Sequence, residues 1–397
     1  MMEPKIRFKG FEGEWKTSTI GDFTTSFSGG TPTAGASEFY GGNIPFIRSG
    51  EIHESKTELF LTEAGLNNSS AKVVEKGTLL YALYGATSGE VGISKIKGAI
   101  NQAILAIYPN KTVDKRFLAN YLQSHKEKIV GELLQGGQGN LSGALVKSIS
   151  VTYPNNREQQ TISDYVDSLD SQISASTSRL ASLKQMKAAS LQAMFPQEGK
   201  TVPKIRFKGF EEEWKKVSFK DFTFHAGTKN RDNLPLESYS ISNEFGFKPQ
   251  NEQFENGGTM TQADKRMYYI VSPNSFAYNP ARINVGSLGY YEGKEDVIVS
   301  SLYEVFKTDD TICDKFLLYW FKTDIFQKMI EQFQEGGVRL YFFYDKMCKC
   351  SLMRPSLAEQ QAIASYFTSL DRQISLQSQR LEKLKQIKSA CLDKMFV

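Results

Sequence analysis

Two residues apart, Glu292 and Lys294 have the Glu-x-Lys spacing with which many metal-dependent nucleases hold a divalent ion near a reacting phosphate. That chemistry needs a cluster of carboxylates to grip the metal. The nearest upstream carboxylate is the distant Asp264, and the first half of the chain has no counterpart, so the pair reads as a polar turn. The run GATSGEVG (Gly85–Gly92) has glycines but lacks the Gly-Lys-Ser/Thr ending of a phosphate-binding loop. It reads as a turn between strands. Cys348 and Cys350 are one residue apart and would share a strand face. A zinc site wants wider spacing and further ligands. With His53, His125 and His225 all remote in sequence, these cysteines are expected to be buried free thiols. The histidines show no spacing of a catalytic triad either.

Tyr278–Arg282, YNPAR, starts like the Asn/Asp-Pro-Pro-aromatic motif of amino-methyltransferases. Ala281 stands where that motif has its second proline, and no cofactor-binding glycine motif accompanies it. What remains is chemistry suited to binding. Turn-rich stretches mix cations with amides, hydroxyls and aromatics. In the first half these are Thr31, Thr33, Arg48, Tyr84, Thr87, Ser88, Lys95, Asn101, Gln102, Gln138 and Asn140. In the second they are Lys229, Arg231, Asn243, Lys265, Arg266, Asn279, Arg282, Asn284, Tyr290 and Arg339. Lys and Arg suit phosphates, while Arg, Asn and Gln can grip base edges through two hydrogen bonds. Any one of them has a plain surface role as its simplest reading; the case rests on the set.

These residues sit in a chain that repeats itself. PKIRFKGFEGEW (Pro4–Trp15) returns as PKIRFKGFEEEW (Pro203–Trp214), with only Gly13 changed, to Glu212. Glu158–Phe195 returns as Glu359–Phe396 with about half the positions identical and no gap. Weaker echoes lie between: VDKRFLANYL (Val113–Leu122) opposite ICDKFLLYWF (Ile312–Phe321), Gly136-Gly137 opposite Gly336-Gly337, and Pro154 opposite Pro355. One duplicated ancestral unit accounts for this, and two copies suit a pseudo-twofold monomer.

Ile162, Val166, Leu169, Ile173, Leu180, Leu183 and Met194 step mostly by threes and fours, as do Ile363, Phe367, Leu370, Ile374, Leu381, Leu384 and Met395. These stripes predict two long helices with a coiled-coil seam, each about 57 Å at 1.5 Å per residue. So narrow a stripe needs another helix, and the other copy, running antiparallel, is the obvious partner. The polar positions Gln160, Asp164, Gln172 and Arg179 lie off the seam, solvated or docking other subunits.

The variable segments read as mixed domains of about 140 residues, where turn residues punctuate short β-prone runs. Ile44–Ile47, Tyr268–Val271, Ser275–Tyr278 and Val297–Phe306 are expected strands. Asp114–Leu134 and Lys315–Glu331 are expected helices, and a short helical turn and last strand should end the first segment. The leader's alternation of Lys5, Arg7 and Lys9 with Ile6 and Phe8 predicts a short extended segment with one apolar face. If both leaders pack alike, the first should lie against the C-terminal helix as the second lies against the central one. The expected fold class is thus α+β: two mixed target-binding domains separated by two long antiparallel helices, in a pseudo-twofold repeat. The boundaries are a leader 1–15, a domain 16–153, a helical spacer 154–200, a leader 201–214, a domain 215–354 and a spacer 355–397.

Net charge is +4 over 397 residues, compatible with nucleic acid without demanding it. The charged start MMEPKIRFKG is unlike a secretory leader, and no apolar run approaches membrane-spanning length, so a cytoplasmic protein is expected.

Over its whole length the chain resembles the specificity (HsdS) subunits of Type I restriction-modification systems. The likeness is carried by the two EQQ helices ending in MF, Pro154 and Pro355, and the repeated leader. It is carried further by SGGTP (Ser28–Pro32), GATSGEVGI (Gly85–Ile93), NQAI (Asn101–Ile104) and GQGNLSGALVKSISVTYP (Gly137–Pro154), and by NPARINVGSLGYYEG (Asn279–Gly293) and VSSLYEVFK (Val299–Lys307). The resemblance implies that each variable domain is a target-recognition domain reading one half of a split, asymmetric site in double-stranded DNA. The helices would dock two methyltransferase (HsdM) subunits, which carry S-adenosylmethionine and methylate a flipped adenine. Two restriction (HsdR) subunits would add ATP- and magnesium-dependent translocation and cleavage. This chain would hold no catalytic centre, metal or cofactor. A methylation-only system, and a two-domain scaffold binding protein or glycan, stay open on the residues alone.

Overall fold

No proline or glycine interrupts the two striped segments, and each forms one helix of 38 residues, Asn156–Ala193 and Leu357–Lys394. The computed structural model describes residues 3–134, 140–243, 246–253 and 264–397. They form two compact units: residues 1–177 with 379–397, and residues 178–378. Each long helix therefore contributes to both.

The first unit runs β1 (Lys16–Thr19), α1 (Ile20–Phe23), β2 (Thr24–Ser28), β3 (Tyr40–Ile47), β4 (Leu59–Leu61), α2 (Glu63–Asn67), β5 (Lys72–Val74), β6 (Leu79–Ala82), β7 (Val91–Ile93), β8 (Gly98–Ile100), β9 (Ile104–Pro109), α3 (Lys115–Ser124), α4 (Lys126–Leu134), α5 (Gly143–Ser148), β10 (Ser150–Tyr153) and the long α6 (Asn156–Ala193). The second follows with β11 (Lys215–Ser218), β12 (Thr223–His225), β13 (Thr228–Lys229), β14 (Ser238–Ser242), β15 (Gly246–Pro249), α7 (Gln250–Gln253), β16 (Tyr269–Val271), β17 (Ser275–Tyr278), β18 (Leu288–Tyr291), β19 (Val297–Val299), β20 (Glu304–Thr308), α8 (Asp314–Trp320), α9 (Asp324–Phe333), α10 (Tyr344–Met347), β21 (Ser351–Arg354) and α11 (Leu357–Lys394).

The two diverged segments share one plan. In the first, β2-β9-β6-β7 and β4-β3-β8-β5 form two sheets, and β1 with β10 forms a neck. In the second, β12-β20-β17-β18 matches the first sheet strand for strand. The order β13-β16-β19-β14-β15 is the other sheet with one strand added, and β11 with β21 is the neck. Among the described residues, the single parallel pairing of each unit recurs in the same place, β3 with β8 and β14 with β19. The duplication inferred from short echoes is thus visible in every sheet.

Within each unit the helices pair antiparallel. Lys388 reaches Asp170 at 2.5 Å in the first, and its repeat equivalent, Lys187, reaches Asp371 at 2.5 Å in the second. The seam is not wholly apolar: Ser176 and Gln377 are buried in it, filling the step between Ile173 and Leu180 and between Ile374 and Leu381.

The repeated leaders are clamps. Ile6 N–H donates to Lys394 O at 2.9 Å, and Ile205 N–H to Ala193 O at 2.9 Å, so the two leaders do pack alike against the ends of α11 and α6. The expected apolar face is formed only in part: Phe8 and Phe207 pack edge-on against Tyr165 and Tyr366, at 5.5 and 6.0 Å. Ile6 and Ile205 are exposed, and arginine turns inward beside the phenylalanine. Arg7 forks onto Glu158 at 2.7 and 2.8 Å, and Arg206 onto Glu359 at 2.7 and 2.8 Å, with both glutamate side chains only 1% exposed. Beside each glutamate, Gln159 accepts from Asp114 N–H and donates to Pro154 O, while Gln360 accepts from Cys313 N–H and donates to Pro355 O. The EQ dipeptide therefore fastens leader, long helix and the start of α3 or α8 together. The MF endings plug the cores. Phe396 packs on Phe117 at 5.2 Å in the first unit, and Phe195 on Phe316 at 5.4 Å in the second.

Four expected elements come out differently. Asp114–Leu134 breaks into α3 and α4 at His125, where Ser124 Oγ donates back to Tyr121 O and the imidazole stacks on Tyr121. Lys315–Glu331 breaks into α8 and α9 where Thr323 Oγ1 donates to Trp320 O. Val297–Phe306 is two strands in two sheets, separated by a turn in which Tyr303 N–H donates to Ser300 O at 3.1 Å. Cys348 caps α10 and is half-buried, and of the pair only Cys350 is fully buried.

Candidate nucleic-acid interface

In a mixed sheet, the carboxyl ends of a parallel pair and the amino ends of its antiparallel neighbours meet on one edge. In the first unit that edge follows Ile47 of β3 and Ile100 of β8. It collects Arg48, Asn101 and Gln102, and the Ser28–Thr33 loop folds onto it. Gly30 N–H donates to Ile100 O at 3.2 Å, and a Cβ on Gly29 would stand 1.8 Å from Ile100 O, so only glycine fits there. Thr31 Oγ1 donates to Gln102 Oε1, and Thr33 is exposed in the same loop. The β6–β7 loop with Tyr84, Thr87 and Ser88 joins this edge, since Leu83 N–H donates to Ala103 O and Leu141 N–H to Leu83 O. The second of these bonds brings in the exposed Asn140 as well. Gln138 lies outside the described residues.

The second unit repeats the arrangement. Asn243 follows β14, and Lys229 and Arg231 lie at the carboxyl end of β13, which pairs antiparallel with β16. Lys265 and Arg266 precede β16, and the Ser300–Tyr303 turn follows β19. The Asn279–Ser287 loop, holding Arg282 and Asn284, is closed by Asn279 N–H to Ser287 O at 3.0 Å. Phe342 N–H donates to Pro280 O, which brings in the 335–341 hairpin with Arg339. Two sequence candidates lie elsewhere. Lys95 follows β7 at the opposite end, where Ser94 pairs with Gly77 and Thr78. Tyr290 points to that end too, donating to Asn274 Oδ1 at 3.0 Å.

The two edges differ in charge. Arg48 is held by Glu51 at 3.0 Å and Glu58 at 2.6 Å. Arg231, Arg266, Arg282 and Arg339 form no ion pair among the described residues and are exposed. Sequence reasoning missed Lys72, whose ammonium stands 5.0 Å over the Phe27 ring on the first edge. An alternating β-prone run gave no sign that this lysine begins a strand beside an aromatic of β2. Lys229 makes the matching contact on the second edge, 3.5 Å over Tyr269. Among the described residues, no group of His, Cys, Asp and Glu is placed to hold a metal ion, and no helix is long and apolar enough to cross a membrane.

The family model of the Type I restriction modification DNA specificity domain matches residues 12–185 and again residues 211–386. The chain belongs to the Type I restriction-modification specificity family. Among curated proteins, the MjaIX specificity subunit of Methanocaldococcus jannaschii is 31% identical over 170 residues, 39% of this chain and 38% of its own. The EcoR124I/EcoR124II specificity subunit of Escherichia coli is 24% identical over 174 residues, 42% of this chain and 43% of its own. The chain thus matches about two-fifths of the length of these relatives. Among solved structures, the S subunit from M. genitalium superposes with a TM-score of 0.64 at 15% identity, covering 100% of this chain and 99% of that one. HsdS from Thermoanaerobacter tengcongensis gives 0.50 at 13% identity, with 96% of each chain covered. These two likenesses speak for the fold.

In this specificity-family chain the first edge carries a pH-sensitive brace. Burial raises the Glu51 carboxyl pKa, but hydrogen bonds from Arg48, from the Glu58 and Arg48 backbone and from Thr57 outweigh it and bring it down to about 2. A carboxyl depressed in the folded state adds stability that is complete above its unfolded value, near 4.5, and lost as pH falls towards 2. Urea unfolding of the wild type and of Glu51→Gln should therefore differ at pH 7 and draw together as pH falls from about 4.5 to about 2. A constant difference across that range would show that the brace does not titrate.

Proposed function

We propose that each loop-bearing edge reads one half of a bipartite, asymmetric DNA target, and that the chain is the sequence-specificity subunit of a Type I restriction-modification complex. The observation that carries this is one scaffold bearing two different edges. Strand order, neck, leader clamp and helix junction recur in both units, while most of the residues on the two edges differ. Duplicated scaffolds with unlike binding edges suit two unlike half-sites. Loops of cations, amides and aromatics on a rigid sheet edge are the parts with which proteins hold phosphates and read base edges.

In this reading the chain supplies recognition, and the reactions belong to partners. Two methyltransferase subunits carrying S-adenosylmethionine dock on the long helices, and two restriction subunits using ATP and magnesium join them. The helices set the number of unspecified base pairs between half-sites, as dimer geometry does elsewhere. The modest net charge of +4 fits a chain whose partners share the phosphate grip. The test is coexpression with the cognate methyltransferase subunit, followed by mapping of methylated adenines across a genome. The expected result is a stable complex and a split target with two different half-sites. A pair that never associates, or methylation without a split motif, would sink the reading.

A further inference from the structure

We infer that the Ser300–Tyr303 turn of the second unit recognises thymine through its C5-methyl group, with Leu302 making the contact and Met267 flanking it. The inference rests on the second edge being a DNA-reading edge and names the base chemistry it reads.

Leu302 is 70% exposed and Met267 60%. Single exposed apolar residues are ordinary on protein surfaces. These two flank one end of the same strand pair. Tyr269 pairs directly with Val299; Met267 lies two residues before Tyr269, in the turn that leads into β16, and Leu302 three residues after Val299, in the turn that leaves β19. The turn that presents Leu302 is fixed: Tyr303 N–H donates to Ser300 O at 3.1 Å, and Ile241 N–H donates to the Tyr303 hydroxyl at 3.4 Å. The apolar tip shares its edge with cations. Lys229 stands 3.5 Å over Tyr269 and donates to Met267 O, and Arg231 and Arg266 are exposed on the same edge. Cations beside such a tip draw a polyanion, but a leucine has nothing to offer a phosphate. On the floor of the DNA major groove, the apolar group open to contact is the thymine methyl.

The equivalent turn in the first unit supports the assignment by contrast. There Ile104 N–H donates to Asn101 O at 3.2 Å, closing the same turn. Its exposed residue is Gln102, one place earlier in the turn than Leu302, whose own match, Ala103, is buried; Gln102 Oε1 accepts from Thr31 and its amide N–H groups are left to donate. The same turn thus presents a hydrogen-bonding amide in one unit and, one place later, an apolar side chain in the other.

The experiment uses the complex of the full chain with its methyltransferase subunit and duplexes bearing the mapped target. Each thymine is replaced in turn by deoxyuridine, which lacks only the methyl group. For the wild type, one replacement in a single half-site should weaken binding about fourfold, the worth of one buried methyl group. Leu302→Ala should bind the thymine and deoxyuridine duplexes equally and melt as the wild type does, while Gln102→Ala should keep the discrimination. Wild-type binding indifferent to every replacement, or discrimination that survives in Leu302→Ala, overturns the inference and leaves DNA recognition standing. A complex that retains no target duplex at low salt overturns both.

Discussion

Replacing Arg7 with methionine should destabilise the first unit by about 3–5 kcal/mol, the cost of leaving a buried carboxylate without its partner. The Glu158 side chain is 1% exposed, and both its oxygens accept from the Arg7 guanidinium, at 2.7 and 2.8 Å. Arg7 also donates to Gly13 O at 2.8 Å, which pins the turn leading to the buried Trp15. Losing the fork leaves a desolvated charge and frees the leader strap that bonds Lys394 O. Arg7→Lys should recover only part of the loss, because an ammonium cannot span both oxygens in the plane of the carboxylate. The double variant Arg7→Met/Glu158→Leu should regain more than half of it, because it removes the buried charge along with its partner. Calorimetry reads the outcome: the single variant should melt lower by about 10 °C. A shift under about 2 °C would mean that the clamp is ornamental. Arg206→Met should behave alike in the second unit, where Glu359 has the same exposure and the same fork.

This clamp shows what was legible in the sequence and what was not. The repetition of PKIRFKGFE and EQQ marked both as structural, and helical spacing marked the seam. Periodicity assigns faces, however, and it cannot show that an arginine in one repeated stretch answers a glutamate 151 residues away. Alternation in the leader therefore suggested a buried Ile6 and a solvated Arg7, and the reverse holds, because a two-pronged charged pair outcompetes one isoleucine for the junction. The breaks at His125 and Thr323 were hidden for a related reason. Neither is proline or glycine, and each helix ends where a hydroxyl bonds back to its own turn. The candidate site was legible as a set of residue types. Its convergence was not, because loops meet on one edge through strand order, and strand order became visible only with the parallel pairs β3–β8 and β14–β19. Lys95 and Tyr290 have similar chemistry but lie at the opposite end of their strands from the other candidates.

The necks make the second large prediction possible. Lys16–Thr19 pairs with Ser150–Tyr153 over four residues, antiparallel, and Lys215–Ser218 pairs with Ser351–Arg354 in the same way. Each neck is reached through a leader of nearly one sequence and left through a proline into a helix that begins with the same clamp. A segment cut between these points should therefore fit either position. A chain in which residues 215–354 also replace 16–153 should fold, assemble with the methyltransferase subunit and direct methylation to a target whose two half-sites have the same sequence. The half-site formerly read by the first unit should vanish from the methylation map. Each base pair misread typically costs about 1–3 kcal/mol, so three or more mismatches should weaken binding to the original target about a hundredfold or beyond. The interval between half-sites should stay the same, because α6 and α11 are untouched. Retention of both original half-sites would place recognition outside the exchanged segments. A simultaneous change in both would mean that the two edges do not read independently.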